Sequence, residues 1–551
     1  MKNVFIAIGG SGTKVAEALV GLLALGFPTK SQNGLTSVGD ELEIWRVDSD
    51  QAAGADDALS RRLETSQRLE EALESGWSME INPSVKDLNP LQINNGGREP
   101  RTLRDVLNSE ADEEAQKFLD LFYTEEEQRE NISRGFYQKP FIGSAVMAVY
   151  ASTLPQRAAA LGLQLANLSA TPARFFICGS LHGGTGASGV SVLGKFLADE
   201  AKRVSNDRWE IYACLLAPYS DPPEPFISEA DARVLTSREE VLAWFQRPEN
   251  QRHTNELELS DDEKVEAVFQ IGRGFFAKNR ELVPRSQHNL KYYKDNQYMN
   301  HFRHVYVVGK GLRDTLPRWS NGGRKQNNPM NSAEIVAALT ALHCFSGAAN
   351  VQGSGDYVIA TSTDGGTTPI DEQGMGLYHL PTYTVGNEEV DPERVVLATV
   401  MASLLIAYHH LWPANEKTDE WPSDRKLGEL YRRRPERKRG DGEAFFAAAN
   451  HLREISQSLM GRERLESLGW RAEVWYAIAQ NLPADPAAAD ARLSSFAGGL
   501  FRRGDVPRVG NCKWKVDFDQ FHGWTIEVDR FNRGVYFRHV WSEIYKAIRP
   551  C

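Results

Sequence analysis

The residues in this chain whose types and spacing can do chemistry lie in two short glycine-rich stretches. Gly9-Gly10-Ser11-Gly12-Thr13 and Gly183-Gly184-Thr185-Gly186-Ala187-Ser188-Gly189 each follow an apolar β-like run and lead at once into apolar residues at helical spacing. Each therefore reads as strand, tight loop and helix N-terminus. Such a junction binds anions: first-turn N–H groups lack intrahelical partners, the positive end of the helix dipole lies there, and glycines let a phosphate reach the backbone. Thr185 and Ser188 add hydroxyl donors to the second loop. The plain alternative for either loop is a glycine-rich turn with no ligand. The first loop is not a Walker loop, because GxxxxGK[ST] is absent and Gly12-Thr13-Lys14 has those residue types in another order.

Two acids stand where a bound nucleotide would meet them. Asp48 and Asp50 end the apolar run Leu42–Val47, and carboxylates at the tip of a second strand can take a ribose hydroxyl or, through water, a magnesium ion. An Asx turn is the alternative. His343 and the pair His409-His410 lie on apolar helical stretches and read as core or rim histidines, not metal ligands.

The elements that must position these residues follow from hydrophobic periodicity. Apolar runs at Val4–Ile8, Leu42–Val47, Phe175–Cys178, Trp209–Leu216 and His304–Gly309 read as strands, and they alternate with helical patterns such as Ser144–Leu154 and Asn331–Ser346. Alternation of this kind predicts an α/β fold with a doubly wound parallel sheet and ligands at the strand C-termini. Within residues 1–330, the polar, charge-rich stretch 52–134 reads as a helical surface insertion. Residues 331–350 read as a long helix and its following loop. Residues 351–551 read as a smaller α+β domain with helical additions, its strands at Tyr357–Thr361, His379–Val385, Trp514–Phe518 and Trp524–Val528 and its helices near 392–411, 443–460, 463–479 and 534–548. The run Arg432–Arg439 reads as a solvated basic loop.

Composition narrows the function classes. The 551 residues are enough for more than one core, and 41% hydrophobic with 25% charged residues is ordinary globular usage. A formal net charge of −11 argues against a general nucleic-acid binder. Five scattered cysteines form no CxxC or Cys/His cluster, so reduced thiols and a cytoplasmic setting are expected, with no zinc site. The first residues begin a strand, with no signal-peptide pattern, and the longest apolar run, Val395–Ala407, falls short of the roughly 20 residues of a membrane span.

Taken in order, these loops resemble those of the tubulin/FtsZ superfamily. Gly183–Gly189 is similar to its GGGTG(T/S)G signature, with His182 in place of the first glycine. Gly9–Thr13 stands at its first phosphate loop, and Asp48-Ser49-Asp50-Gln51 is similar to the bacterial NTDxQ strand end. Gly135-x-x-Gln138-x-Pro140-x-x-Gly143 has the spacing of the third loop, GxGGNPxxG, and Pro218 falls in the ribose-side loop. The resemblance implies a GTP/GDP site with Mg2+, with Asn331 or the neighbouring Asn327 or Asn328 reading the base. It also implies that Gly347–Asp356, similar to the catalytic loop GxxNxDxx(D/E), enters the nucleotide site of the next copy, with Asn350, Gln352 and Asp356 as its catalytic candidates. Gln352 stands in the first acidic position and Asp356 one residue beyond the second. An amide there can orient water but cannot act as a carboxylate base, so slow turnover is implied.

The expected function is thus a tubulin-like GTP-binding protein that associates head to tail, with a slow GTPase completed between subunits and room for a protein partner on the C-terminal domain. Two rivals stand beside it. One is a non-polymerising nucleotide-sensing adaptor of the same fold. The other is an NAD-dependent oxidoreductase, which would use Gly9-Gly10-Ser11-Gly12 with Asp48 or Asp50 on a ribose, although Val15 occupies the place of the third fingerprint glycine.

Overall fold

The computed structural model describes residues 1–24, 42–49, 54–72, 83–91, 101–107, 112–157 with 134, 137 and 138 excepted, 168, 171–204, 208–220, 227–250, 261–272, 279–295, 298–310, 330–345, 357–361, 376–377, 451, 514–516 and 548–550. The apolar runs form strands β1 (Lys2–Ile8), β2 (Leu42–Val47), β3 (Ser84–Leu88), β4 (Ala173–Ser180), β5 (Trp209–Leu216), β6 (His304–Lys310), β7 (Tyr357–Thr361) and β8 (Gly376–Leu377). They join in one eight-stranded sheet of order β3-β2-β1-β4-β5-β6-β7-β8. Every neighbouring pair in it is parallel.

Parallel neighbours need long crossovers, and helices fill them. In chain order these are α1 (Gly9–Ala24), α2 (Gly54–Ala72), α3 (Leu103–Leu107), α4 (Glu113–Phe122), α5 (Glu125–Arg129), α6 (Pro140–Arg157), α7 (Gly184–Arg203), α8 (Glu229–Val234), α9 (Arg238–Gln246), α10 (Asp261–Gly272), α11 (Asn279–Asp295) and α12 (Ser332–Phe345). Strands β9 (Trp514–Val516) and β10 (Ile548–Pro550) pair antiparallel in a separate two-stranded sheet.

Side chains alternate across the sheet, and each face has its own cover. Val4, Ile6, Ile8, Phe175, Ile177, Ile211 and Val305 pack with Val146 and Met147 of α6 and Val190, Leu193 and Leu197 of α7. On the other face Phe176 stacks between Phe5 and Tyr306, meets Phe345 of α12 edge-on at 6.2 Å, and lies in the layer shared with α1. The alternation of strands and helices thus produces an α/β sandwich with helices on both faces, the architecture expected. Burying a sheet on both sides also explains why its central strands read as unbroken apolar runs.

Two boundaries differ from the sequence reading. The stretch 52–134 is more than a surface insertion: it contributes the edge strand β3, and Leu88, Leu91, Leu103, Val106, Leu119 and Ile132 enter the main core. The sheet also continues past residue 350, since Tyr357–Thr361 pairs with β6 as β7 and carries β8 beyond it. A domain division at 350/351 therefore cuts through the sheet. Of the second-domain strands expected, Trp514–Val516 is present as β9, its partner being Ile548–Pro550. The segments His379–Val385 and Trp524–Val528 lie outside the described residues.

The polar edge is tied by ion pairs. Glu43 of β2 accepts from Lys2 and Lys86 at 2.7 Å each, and Arg46 pairs with Asp87 at 2.8 Å. Burial works to raise the Glu43 carboxyl, but the bonds from Lys2, Lys86 and Trp45 outweigh it and hold its pKa below the usual value.

Helix α1 lies so close to the sheet that Gly12 leaves no room for a methyl group. A Cβ there would sit 2.6 Å from the Cys178 carbonyl oxygen and 3.0 Å from the Ala7 carbonyl carbon, both backbone atoms. At Gly10, two residues earlier, a Cβ meets nothing within 4 Å. We expect Gly12→Ala to lose about 2 kcal/mol or more in urea unfolding, as overpacking against backbone does. Gly10→Ala should hold or gain stability, since alanine is the better helix former by about 1 kcal/mol.

Candidate functional site

In a parallel sheet all strand C-termini share one edge, and the crevice opens where the strand order reverses. Here that point lies between β1 and β4, neighbours in the sheet whose crossovers leave in opposite directions. Ala7 is in register with Cys178, so the two glycine loops start from the same level. Gly9 has φ +69°, a backbone conformation that glycine adopts without strain, and turns β1 directly into α1. A Cβ on Gly9 would lie 3.3 Å from Thr185 Cβ and 3.4 Å from the Gly186 nitrogen, so the loops are in contact.

A third helix start joins them. Gly143, in the first turn of α6, packs on the Ser188 hydroxyl and the Gly184 carbonyl, and Gly184 itself lies against Phe136 just before that helix. The N-terminal turns of α1, α6 and α7 therefore converge on one corner of the sheet edge.

These three helices also share an electrostatic property. None has an acid in its first turn, and the N-cap of α7, Gly183, makes no side-chain capping bond. Other helices are conventionally finished: Asp112 caps α4, Thr124 and Ser237 form capping boxes on α5 and α9, and Ser228 caps α8. The chain thus finishes these surface helix termini with side chains, and where the three meet it leaves dipole ends with no first-turn acid and, at α7, an N-terminus without a side-chain cap.

The residues picked from sequence divide on inspection. Gly10, Ser11 and Gly183 are part-exposed at the corner; Gly9, Gly12, Gly184, Thr185, Gly186 and Ala187 are buried around it. Of the two hydroxyls expected as donors, that of Ser188 is engaged elsewhere, as is that of Thr13 in the first loop. Ser188 Oγ donates to the Gly184 carbonyl at 2.7 Å, and Thr13 Oγ1 to the Gly9 carbonyl at 3.2 Å, each a bond back along its own helix. What the glycines of the loops offer a ligand is backbone N–H. Asp48 is part-buried at the end of β2, and Pro218 part-buried after β5. Asp50, Gln138, Asn327, Asn328, Asn350, Gln352 and Asp356 lie outside the described residues.

Asn331 is at the cleft but already employed. Its Oδ1 accepts from the Ala333 N–H at 3.0 Å, its Nδ2 donates to the Tyr219 carbonyl at 3.3 Å, and its N–H donates to Glu334 Oε2 at 2.7 Å. It caps α12, and reading a base would require it to release these bonds.

Sequence reasoning missed the charged layer behind the first loop. Lys14 and Glu17 of α1 are 5% and 4% exposed, Arg62 of α2 is 7% and Glu334 of α12 is fully buried. Arg62 pairs with Glu17 at 3.3 Å, and the Tyr219 hydroxyl, which also bonds Ser11, donates to Glu334 Oε1 at 2.9 Å. Burial pushes the Glu334 carboxyl up to about 7, with the Glu17 charge adding to the rise and Lys14, the Asn331 N–H and the Tyr219 hydroxyl opposing it. One signal was present: Asn331-x-x-Glu334 has capping-box spacing. Beside the same loop, His182 sets its ring against Tyr219 at 6.4 Å, its Nδ1 is buried with no partner, and burial lowers it to about 4, so it is neutral.

No protein-family model and no curated protein matches this chain. Function therefore rests on the site itself. Among the described residues there is no cluster of three or more His, Cys, Asp or Glu able to hold a metal ion. Nor is any helix among them long and apolar enough to cross a membrane.

A carboxyl held near pH 7 is a stability statement. The folded state keeps the Glu334 proton more tightly than the unfolded chain does. Its contribution is therefore complete below about 4.5 and is lost as pH rises through about 7. Melting temperatures across that window should fall more steeply with pH for the wild type than for Glu334→Gln; parallel curves would contradict the assignment.

Proposed function

We propose that this chain binds a nucleotide, GTP or GDP, through its polyphosphate, at the corner where α1, α6 and α7 begin. The observation that carries the reading is the convergence of three helix N-termini, none bearing a first-turn acid, on the switch point of a parallel sheet. A diphosphate or triphosphate is long and charged enough to accept N–H groups from α1 and α7 and to meet the dipole of α6, whose Ile142 and Gly143 N–H groups donate to the Lys139 carbonyl. The backbone amides of Gly10–Gly12 and Gly184–Gly186 would hold it, and the dipoles would offset its charge without any buried cation having to approach. Asp48, at the tip of β2 one strand from Gly9, and the buried hydroxyl of Ser49 that follows it, which has no partner, are oxygen donors suited to Mg2+ held against phosphates. Bound there, the ion would neutralise phosphate charge.

The strand order alone does not select guanine nucleotides, because dinucleotide-binding sheets share it. The second glycine loop supports the mononucleotide reading. An NAD site uses the loop after β1 and leaves the loop after β4 with no phosphate to hold, yet here that loop opens a helix with neither a side-chain cap nor a first-turn acid.

Gly10 offers a test that keeps the fold. It is part-exposed at the corner with open space where a side chain would point. Gly10→Asp places a carboxylate at a helix N-terminus, which stabilises the helix but repels phosphate. We expect unchanged or higher thermal stability and nucleotide affinity weakened at least about tenfold in calorimetry. Mass spectrometry of nucleotide released from the wild type should find GTP or GDP; NAD(P) released instead, or no thermal shift with any guanine nucleotide, overturns the proposal.

Assembly and turnover belong to the same proposal. The loop Gly347–Asp356 would complete the site of a neighbouring copy, with Gln352 orienting water. GTPase rate per molecule should then rise with protein concentration, and a rate per molecule that stays flat on dilution would remove the shared site.

A further inference from the structure

Seven large apolar side chains are exposed among the described residues, and four of them, Phe118, Leu121, Phe122 and Phe141, belong to one place. Phe118, Leu121 and Phe122 follow the i, i+3, i+4 spacing of one face of α4, with Leu121 75% and Phe122 64% exposed. The helix does not need this face to fold, because its core anchor is Leu119, fully buried beside it.

The face is also held in shape. Phe118 and Phe122 rings lie 4.9 Å apart, Tyr123 stacks on Phe141 at 6.1 Å, and the Tyr123 hydroxyl donates to the Phe141 carbonyl at 3.2 Å. Asp112 caps α4 through the Glu114 and Ala115 N–H groups, and Thr124 and Glu127 form a reciprocal capping box at the start of α5. A contiguous, preorganised apolar face of this kind marks an interaction site.

Its rim states the chemistry of what sits there. From Asp112 to Arg129 the chain carries seven acids (Asp112, Glu113, Glu114, Asp120, Glu125, Glu126 and Glu127) and two bases, a net charge of −5. The two bases are already taken, Lys117 by Glu113 at 2.7 Å and Arg129 by Glu125 at 2.6 Å. Anionic lipid and nucleic acid are repelled by such a rim, and a second copy offering the same face would oppose like charge to like. An apolar strip flanked by lysine and arginine is complementary to it.

We infer that the α4 face, with Phe141 beside it, docks a cationic amphipathic helix of a partner protein. The apolar stripe of the partner would cover Phe118, Leu121, Phe122 and Phe141, and its basic flanks would meet Glu113, Glu114, Asp120 and the acids of α5. This inference is independent of what binds at the glycine loops.

The test uses the full chain and a fluorescein-labelled synthetic helix with leucines at i, i+3, i+4 and i+7 and lysines elsewhere, titrated by anisotropy at physiological salt. We expect saturable binding, weakened at least about tenfold by Leu121→Ser with Phe122→Ser, a change that removes the anchors and keeps every charge. Glu125→Lys with Glu126→Lys should weaken it as well. Val234→Ser, an exposed apolar residue of α8, should bind as the wild type does. Thermal melts confirm that each variant is folded. Three outcomes overturn the inference: equal affinity for the double-serine variant, equal binding of a counterpart helix with glutamates for lysines, or a self-associated wild type that the double-serine variant converts to monomer.

Discussion

The structure depends on a single geometric constraint, the side-by-side parallel placement of β1 and β4 with their following helices leaving to opposite faces. Once those two strands are paired, their loops must meet at the same edge, and where they touch there is no space for a further side chain at Gly9 or Gly12. Gly9 against Thr185 and Gly12 against the Cys178 carbonyl are the places where that crowding is felt. The glycines required by packing are the same ones that leave backbone amides accessible, so a fold requirement and a binding requirement are met by one set of residues.

The electrostatics of the corner are arranged in two layers. In front, three helix N-termini with no acid in the first turn present partial positive charge. Behind, Lys14, Glu17, Arg62 and Glu334 are buried among α1, α2 and α12, where each charge must be balanced by its neighbours or by a proton. Tyr219 joins the layers, since its hydroxyl reaches both Ser11 in the first loop and Glu334 at the start of α12. At its other end α12 is pinned as well, its Phe345 carbonyl accepting from Arg174 at 2.8 Å. The helix that follows β6 is therefore tied at one end to the loop after β5 and at the other to β4.

Much of this was legible in the sequence, for physical reasons. β1, β4, β5 and β6 are buried on both faces, so they announce themselves as apolar runs, and the glycine clusters that follow them mark the helix starts. β3 was not legible, because Ser84–Leu88 is an edge strand whose exposed residues carry the composition of a loop. Tyr357–Thr361 was readable as a strand but not as β7, since which strand it pairs with is decided by the packing of distant segments. Side-chain roles were harder still. Asn331 has the same identity whether it reads a base or caps a helix, and only its three bonds tell the two apart. The Ser188 hydroxyl reads as a ligand donor, yet on a helix a hydroxyl can return to the carbonyl of the preceding turn, and it does, as Thr13 does in the first loop.

The ion pairs along β3 bear on how the molecule behaves among its neighbours. A terminal strand leaves a row of unsatisfied peptide groups that a stray extended segment could extend into a larger, mixed sheet. Here such an intruder would have to strip water from Lys86 and Asp87 and disturb their bonds to Glu43 and Arg46. The same polar residues that hid β3 from sequence reading, Ser84, Lys86 and Asp87, thus make this border a poor template for strand addition.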